Sequence, residues 1–106
     1  MEDEVYYMLT YTYCDDMANL RIPFNKVHWI HILGYRESGV IKEGGPFVDG
    51  TGANFIVKHN KKDETSHPEY IAKNDPFYKN KLITDFNYRE FKDANISVLK
   101  SRLVDK

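Results

Sequence analysis

The chain has 106 residues, of which 42% are hydrophobic and 14% aromatic, and its formal net charge is -1 at pH 7. That length and apolar content describe one folded domain and exclude a disordered segment. The near-neutral charge excludes a general attraction to nucleic acid or to an anionic membrane, so neither is an expected partner.

Glu4 to Tyr13 (EVYYMLTYTY) holds Tyr, Thr, Val and Leu with no Gly or Pro, which is strand composition. Alternation puts Val5, Tyr7, Leu9, Tyr11 and Tyr13 on one face and Tyr6, Met8, Thr10 and Thr12 on the other. Neither face is clearly made for solvent. The start, Met1-Glu2-Asp3-Glu4, is acidic where a secretory signal would be basic, and no apolar run nears the roughly 18–20 residues that span a bilayer. The single Cys14 excludes an internal disulfide framework and suits a reducing cytoplasm. Cys14 to Pro23 reads as a loop, with Asp15-Asp16 and Asn19 as turn formers.

The rest of the chain is organised around Phe24 to Pro46. A helix is expected from Pro23 or Phe24, because Pro is tolerated in a first turn. Its apolar stripe is Phe24, Val27, Ile30 and Leu33, with Trp29 and Ile32 alongside. Gly34 inside it is expected to mark a close packing contact, and Gly39 to end it in the left-handed conformation. Val40 to Val48 follows as a strand interrupted by Gly44-Gly45-Pro46, a bulge or sheet-edge signal. Asp49-Gly50 marks a hairpin, and Ala53 to His59 is the returning strand. A second helix spans Ser66 to Asn74, capped by Thr65 or Ser66, with Pro68 in its first turn. Asn74-Asp75-Pro76 breaks it, Phe77 to Leu82 forms a short helical turn, and Ile83 to Phe91 is a last strand. Asn95 to Lys106 reads as a strand, a helix or a tail.

The order strand, helix, strand, strand, helix, strand predicts an α+β ferredoxin-like sandwich: a four-stranded antiparallel sheet with two helices on one face. Two helices cover one face only. A first strand that is apolar or aromatic on both sides therefore predicts a homodimer packed through the uncovered face.

Chemistry centres on His28 and His31, neighbours on one helix. As zinc ligands they lack the third and fourth partners and the His-Glu-x-x-His pattern, so no metal is expected. His59 and His67 lie in polar surroundings and are expected at the surface. Proton transfer needs a His held by a carboxylate, and Asp75 stands out. Read alone, His28 also fits a packed helical residue, and Asp75 a turn former before Pro. The Gly44-Gly45-Pro46 segment lacks the Gly-Lys-Ser/Thr of a phosphate loop, though paired glycines let a ligand approach the backbone.

In order and spacing, the Tyr-rich strand, Arg21-Ile22, His28 opening HWIHIL, Ser38-Gly39-Val40-Ile41, Gly44-Gly45-Pro46, Asp49-Gly50 and Asp75-Pro76-Phe77 resemble the YciI-like (YCII-related domain) family. The resemblance covers Tyr6 to Phe91. It implies a ferredoxin-like fold that pairs into a dimeric α/β barrel, with a domain over 1–93 and an extension over 94–106. It also implies a His28–Asp75 dyad. Relatives include enzymes that eliminate chloride from chlorinated aromatic-derived substrates and lactone-processing enzymes. Where the family often carries Arg three residues before the His, this chain has Asn25. The expected function is acid–base chemistry on a small cyclic or carbonyl-bearing substrate: elimination, isomerisation or hydrolysis, without a cofactor. His28 would move the proton and Asp75 orient it, with Gly45, Pro46, Tyr7 and Phe77 shaping the pocket. The alternatives are a non-catalytic ligand-binding or accessory dimer, and a haem- or quinol-handling oxygenase of the dimeric α/β-barrel type.

Overall fold

The computed structural model describes residues 3–104. Four strands, β1 (Glu4–Tyr13), β2 (Ile41–Pro46), β3 (Gly52–Asn60) and β4 (Ile83–Phe91), form one sheet in the order β2-β3-β1-β4. Every neighbouring pair is antiparallel. The helices are α1 (Met17–Leu20), α2 (Asn25–Glu37), α3 (Pro68–Lys73), α4 (Pro76–Lys79) and α5 (Ile96–Val104). With α2 between β1 and β2, and α3 and α4 between β3 and β4, this is the ferredoxin-like arrangement. No helix among the described residues is long and apolar enough to cross a membrane.

The alternation read from β1 holds. Leu9, Tyr11 and Tyr13 are buried with Phe55 and Val57 of β3, and Ile32, Ile71 and Phe77 cover them from the helical layer. The opposite face is only partly apolar. Tyr6, Met8, Ile56 and Phe91 cluster toward one end, since Tyr6 pairs with Phe91 and Met8 with Ile56. Thr10, Thr12, Asn54, Asp85 and Asn87 occupy the other end, by the same register.

The tight turns follow their residues. Asp49 Oδ1 accepts from the Thr51 N–H (3.0 Å) and hydroxyl (2.6 Å), and Gly50 takes φ 75°, closing β2 onto β3. Gly39, at φ 81°, ends α2 as expected. Gly44 has φ 134°, and a Cβ there would collide with the Asn54 carbonyl oxygen and lie 2.6 Å from Phe55 Cα. Gly44 is thus required by the close approach of β2 to β3, whereas Gly45 has open space around it.

Several expectations are corrected. The stretch before Pro23 is not all loop: Met17, buried, anchors α1, and Ile22–Phe24 forms a 3-10 turn that feeds α2. The stripe Val27, Ile30 and Leu33 faces outward; each is 48% or more exposed, while His28 and Ile32 point at the sheet. With apolar residues on every side of α2, periodicity could not assign its inner face. Gly34 has no atom within 4 Å of a would-be Cβ, so close packing is not its role. The cap of α3 is His67, whose Nδ1 accepts the Glu69 N–H at 3.0 Å, rather than Thr65 or Ser66. Among the three readings of the last residues, the structure shows a helix, α5. Among the described residues it has no substantial packing partner, and Ile96, Leu99, Leu103 and Val104 are exposed.

Candidate active site

Asp75 sits where α3 has ended and α4 has not begun. Pro76 keeps Asp75 extended, at φ -70° and ψ 130°, so its side chain folds back to cap α4. Oδ1 accepts the Phe77 N–H at 2.9 Å, and Oδ2 accepts the Tyr11 hydroxyl at 3.2 Å. The remaining lone pairs face α2. There His28 Nδ1 lies 2.8 Å from Oδ1 and 2.9 Å from Oδ2. An ionised carboxylate has only acceptors, so Nδ1 carries the proton and donates it to both oxygens. The pair joins residues 47 positions apart. It is almost wholly dry, with His28 1% and Asp75 0% exposed.

Burying a charge this deeply costs several kcal/mol unless its lone pairs are satisfied. Three donors from β1, α2 and α4 meet that need. Tyr11 stays a donor, because its burial, and next the Asp75 charge, raise its hydroxyl well above the ordinary tyrosine range. Tyr13 is pushed up to about 12, chiefly by burial, with Arg21 opposing and Asp75 adding.

The ring of His28 is fixed as firmly as its Nδ1. Phe77 stacks on it at 3.8 Å between centroids and 9° between planes, and Trp29 meets it edge-on at 4.7 Å. Among the described residues, every buried side-chain nitrogen or oxygen has a hydrogen-bond partner. Nε2 of His28 has none among the described residues, so it takes part in what little solvent contact this ring keeps. The result is an imidazole with one nitrogen locked on a carboxylate and the other without a hydrogen-bond partner.

The other residues singled out from sequence distribute as follows. Gly45 lines a groove of about 400 Å³ with Trp29, Ile32, Leu33, Arg36, Gly44 and Phe55. The Trp29 ring is thus shared by this groove and His28. Pro46 ends β2 beside it, exposed and paired with Ala53. Phe77, fully buried, supports the His28 ring rather than a cavity wall. Tyr7 packs against His59, His67 and Tyr88 in a separate cluster. His31 donates from Nε2 to the Ile71 carbonyl at 2.9 Å and ties α2 to α3. His59, expected at the surface, is 8% exposed, with Nδ1 2.8 Å from Ser66 Oγ. No group of three or more His, Cys, Asp or Glu among the described residues is placed to hold a metal ion.

Arg21 was not expected as a site residue, and Tyr11 was expected first as a core or interface residue, with pocket lining, shared with Tyr6, Tyr7 and Tyr13, as the alternative. The guanidinium of Arg21 lies 5.1 Å from the Phe77 centroid, 5.8 Å from Tyr13 and 5.9 Å from Trp29. The alternation of β1 could have found Tyr11, which shares an inner face with Leu9 and Tyr13.

Comparison with solved structures finds a shared fold. The 5-chloro-2-hydroxyhydroquinone dehydrochlorinase of Burkholderia phenoliruptrix, solved in complex with 2,5-dihydroxybenzoquinone, matches with a TM-score of 0.68 over 82% of this chain and 93% of that one. The two share a fold. Their identity is 21%, which carries the likeness no further than architecture. No protein-family model and no curated protein matches the chain.

Proposed function

We propose that this protein is an acid–base enzyme of the YciI-like family that acts on a small cyclic or carbonyl-bearing molecule by elimination or a related proton transfer. The observation that carries this is the buried His28–Asp75 pair with Nε2 left unpartnered. In the reaction, Nε2 takes a proton from the substrate. The electron pair left behind forms the new double bond as the leaving group departs, or shifts onto a carbonyl oxygen in an isomerisation. Asp75 stabilises the imidazolium and prevents the ring from turning. Trp29 and the groove bearing Gly45 give the substrate its apolar wall. The shared fold with a dehydrochlorinase favours elimination among the candidate reactions. Residues 1–93 form the catalytic domain and 94–106 an extension. A cytoplasmic homodimer, closed through the open sheet face into an α/β barrel, completes the proposal.

A panel of chlorinated hydroxyhydroquinones, followed by chloride release, tests it directly. His28→Gln should lower turnover by about 10²–10⁴, the usual range for a positioned acid–base group. The tight burial of His28, 1% exposed, favours a second reading, a ligand-binding dimer without turnover. Binding of 2,5-dihydroxybenzoquinone with no turnover on any panel member would decide for that one.

A further inference from the structure

Arg21 holds a cation for which the described residues provide no ion-pair partner. It lies at the junction of α1 and the 3-10 turn, half-buried, and its Nε–H donates to Asn25 Oδ1 at 2.7 Å. That bond uses one of the five guanidinium N–H groups. Among the described residues the other four have no hydrogen-bond acceptor, and Arg21 belongs to none of the four ion pairs. What holds it is aromatic: Phe77, Tyr13 and Trp29, each within 6 Å of its central carbon. Two of those rings, Phe77 and Trp29, are the rings that also grip His28.

We propose that Arg21 is the substrate-anchoring residue of this site and that it selects an organic anion whose charge is spread over two oxygens, a carboxylate or an ionised hydroxy-enone. This rests on the acid–base reading for its catalytic meaning, but the binding it predicts does not. A guanidinium presents parallel N–H groups that match such an oxygen pair, and a rigid one loses little freedom on binding. Rings and Asn25 fix this one before any ligand arrives. None of these residues accepts a hydrogen bond from its remaining N–H groups, which stay available. The anchored anion would then lie beside the same Phe77–Trp29 pair as the unpartnered nitrogen of His28, bringing a proton near its oxygens within reach. Arg21 lies one helical turn before Asn25, the position where the related pattern has its arginine. Here Asn25 steadies the guanidinium instead of supplying it.

The test uses the full chain with benzoate and with benzamide, its neutral counterpart of the same shape. Calorimetry should show benzoate binding at least tenfold tighter, and the Arg21 Nε–H resonance should move with benzoate and stay in place with benzamide. Arg21→Gln should erase the preference and Arg21→Lys should keep part of it. Equal binding of the two probes, no binding of benzoate, or an unmoved Arg21 resonance overturns the inference. The resonance is read on the unaltered protein, so it decides the matter even if the variants fold poorly. His28→Gln should retain the benzoate preference. A protein that keeps this preference but turns over no panel member would lose the acid–base reading and keep the anion site.

Discussion

Two buried histidines, one on α2 and one on β3, make similar bonds with opposite consequences. His28 and His59 each present Nδ1 to an oxygen at 2.8 Å. For His28 the oxygen belongs to a carboxylate that α4 and Tyr11 also hold in place. For His59 it belongs to Ser66, whose hydroxyl donates to the Asp63 carbonyl at 2.7 Å and accepts the Asn60 N–H at 3.0 Å. A hydroxyl that already donates can only accept from the ring, so His59 too is protonated on Nδ1. Ser66 brings no charge, and His67 sits with its ring centroid 5.0 Å away. Burial, and next the neighbouring His67, accordingly push the His59 pKa below the ordinary histidine value. Burial alone does not make a histidine an acid–base group; the partner decides whether a proton on it can be tolerated.

The largest test of that contrast is truncation of the two partners. Asp75→Ala removes a buried carboxylate that accepts from His28, Tyr11 and the Phe77 N–H, and with it the cap of α4, and should cost about 3–5 kcal/mol in urea unfolding. Ser66→Ala leaves a neutral ring without its acceptor and should cost about 1–3 kcal/mol. Equal losses would mean that charge is not what separates the two clusters.

A smaller effect is expected in the pH dependence. With the folded pKa of His59 depressed, the unfolded chain binds the extra proton first. The group's contribution to stability is thus complete above its unfolded value of about 6.5 and is lost as pH falls through the lower folded value. His59→Gln should flatten the acid limb of the stability profile in that window. A profile identical to the native one would place the titration elsewhere. A finer check is the ring tautomers by nitrogen NMR near neutral pH: Nδ1–H for His28 and His59, but Nε2–H for His31 and His67. Nε2–H on His28 would break the likeness on which the comparison rests.

The smallest effect serves as a control. Gly34→Ala fills open space in α2 and should stabilise the protein by about 0.5–1 kcal/mol. It should raise the melting temperature without disturbing the resonances of either buried histidine.

How much of this was legible in the sequence differs by element. The bounds of β4 and the Asp49-Gly50 turn followed from composition, because strand-formers there are cut off by residues with one local role. The break at Asp75-Pro76 was legible for the same reason. The inner face of α2 was not. With Val27, Trp29, Ile30, Ile32 and Leu33 spread around the helix, only tertiary packing chose the side bearing His28. The burial of His59 was hidden too, since its partner Ser66 lies in a 3-10 turn that no periodicity announces. Arg21 went unread as a site residue because its three aromatic neighbours come from β1, α2 and α4.

Asp75 has a consequence for how the protein comes to be folded. Its two side-chain partners in β1 and α2 lie 64 and 47 positions away along the chain. Contacts of that span form only after a large loss of chain entropy, and no local segment can assemble them in advance. The same oxygen that receives His28 also starts α4. A chain released from a ribosome before β1, α2 and the Asp75 turn have met therefore carries no partial site: the proton-transfer pair and the finished sandwich arrive together.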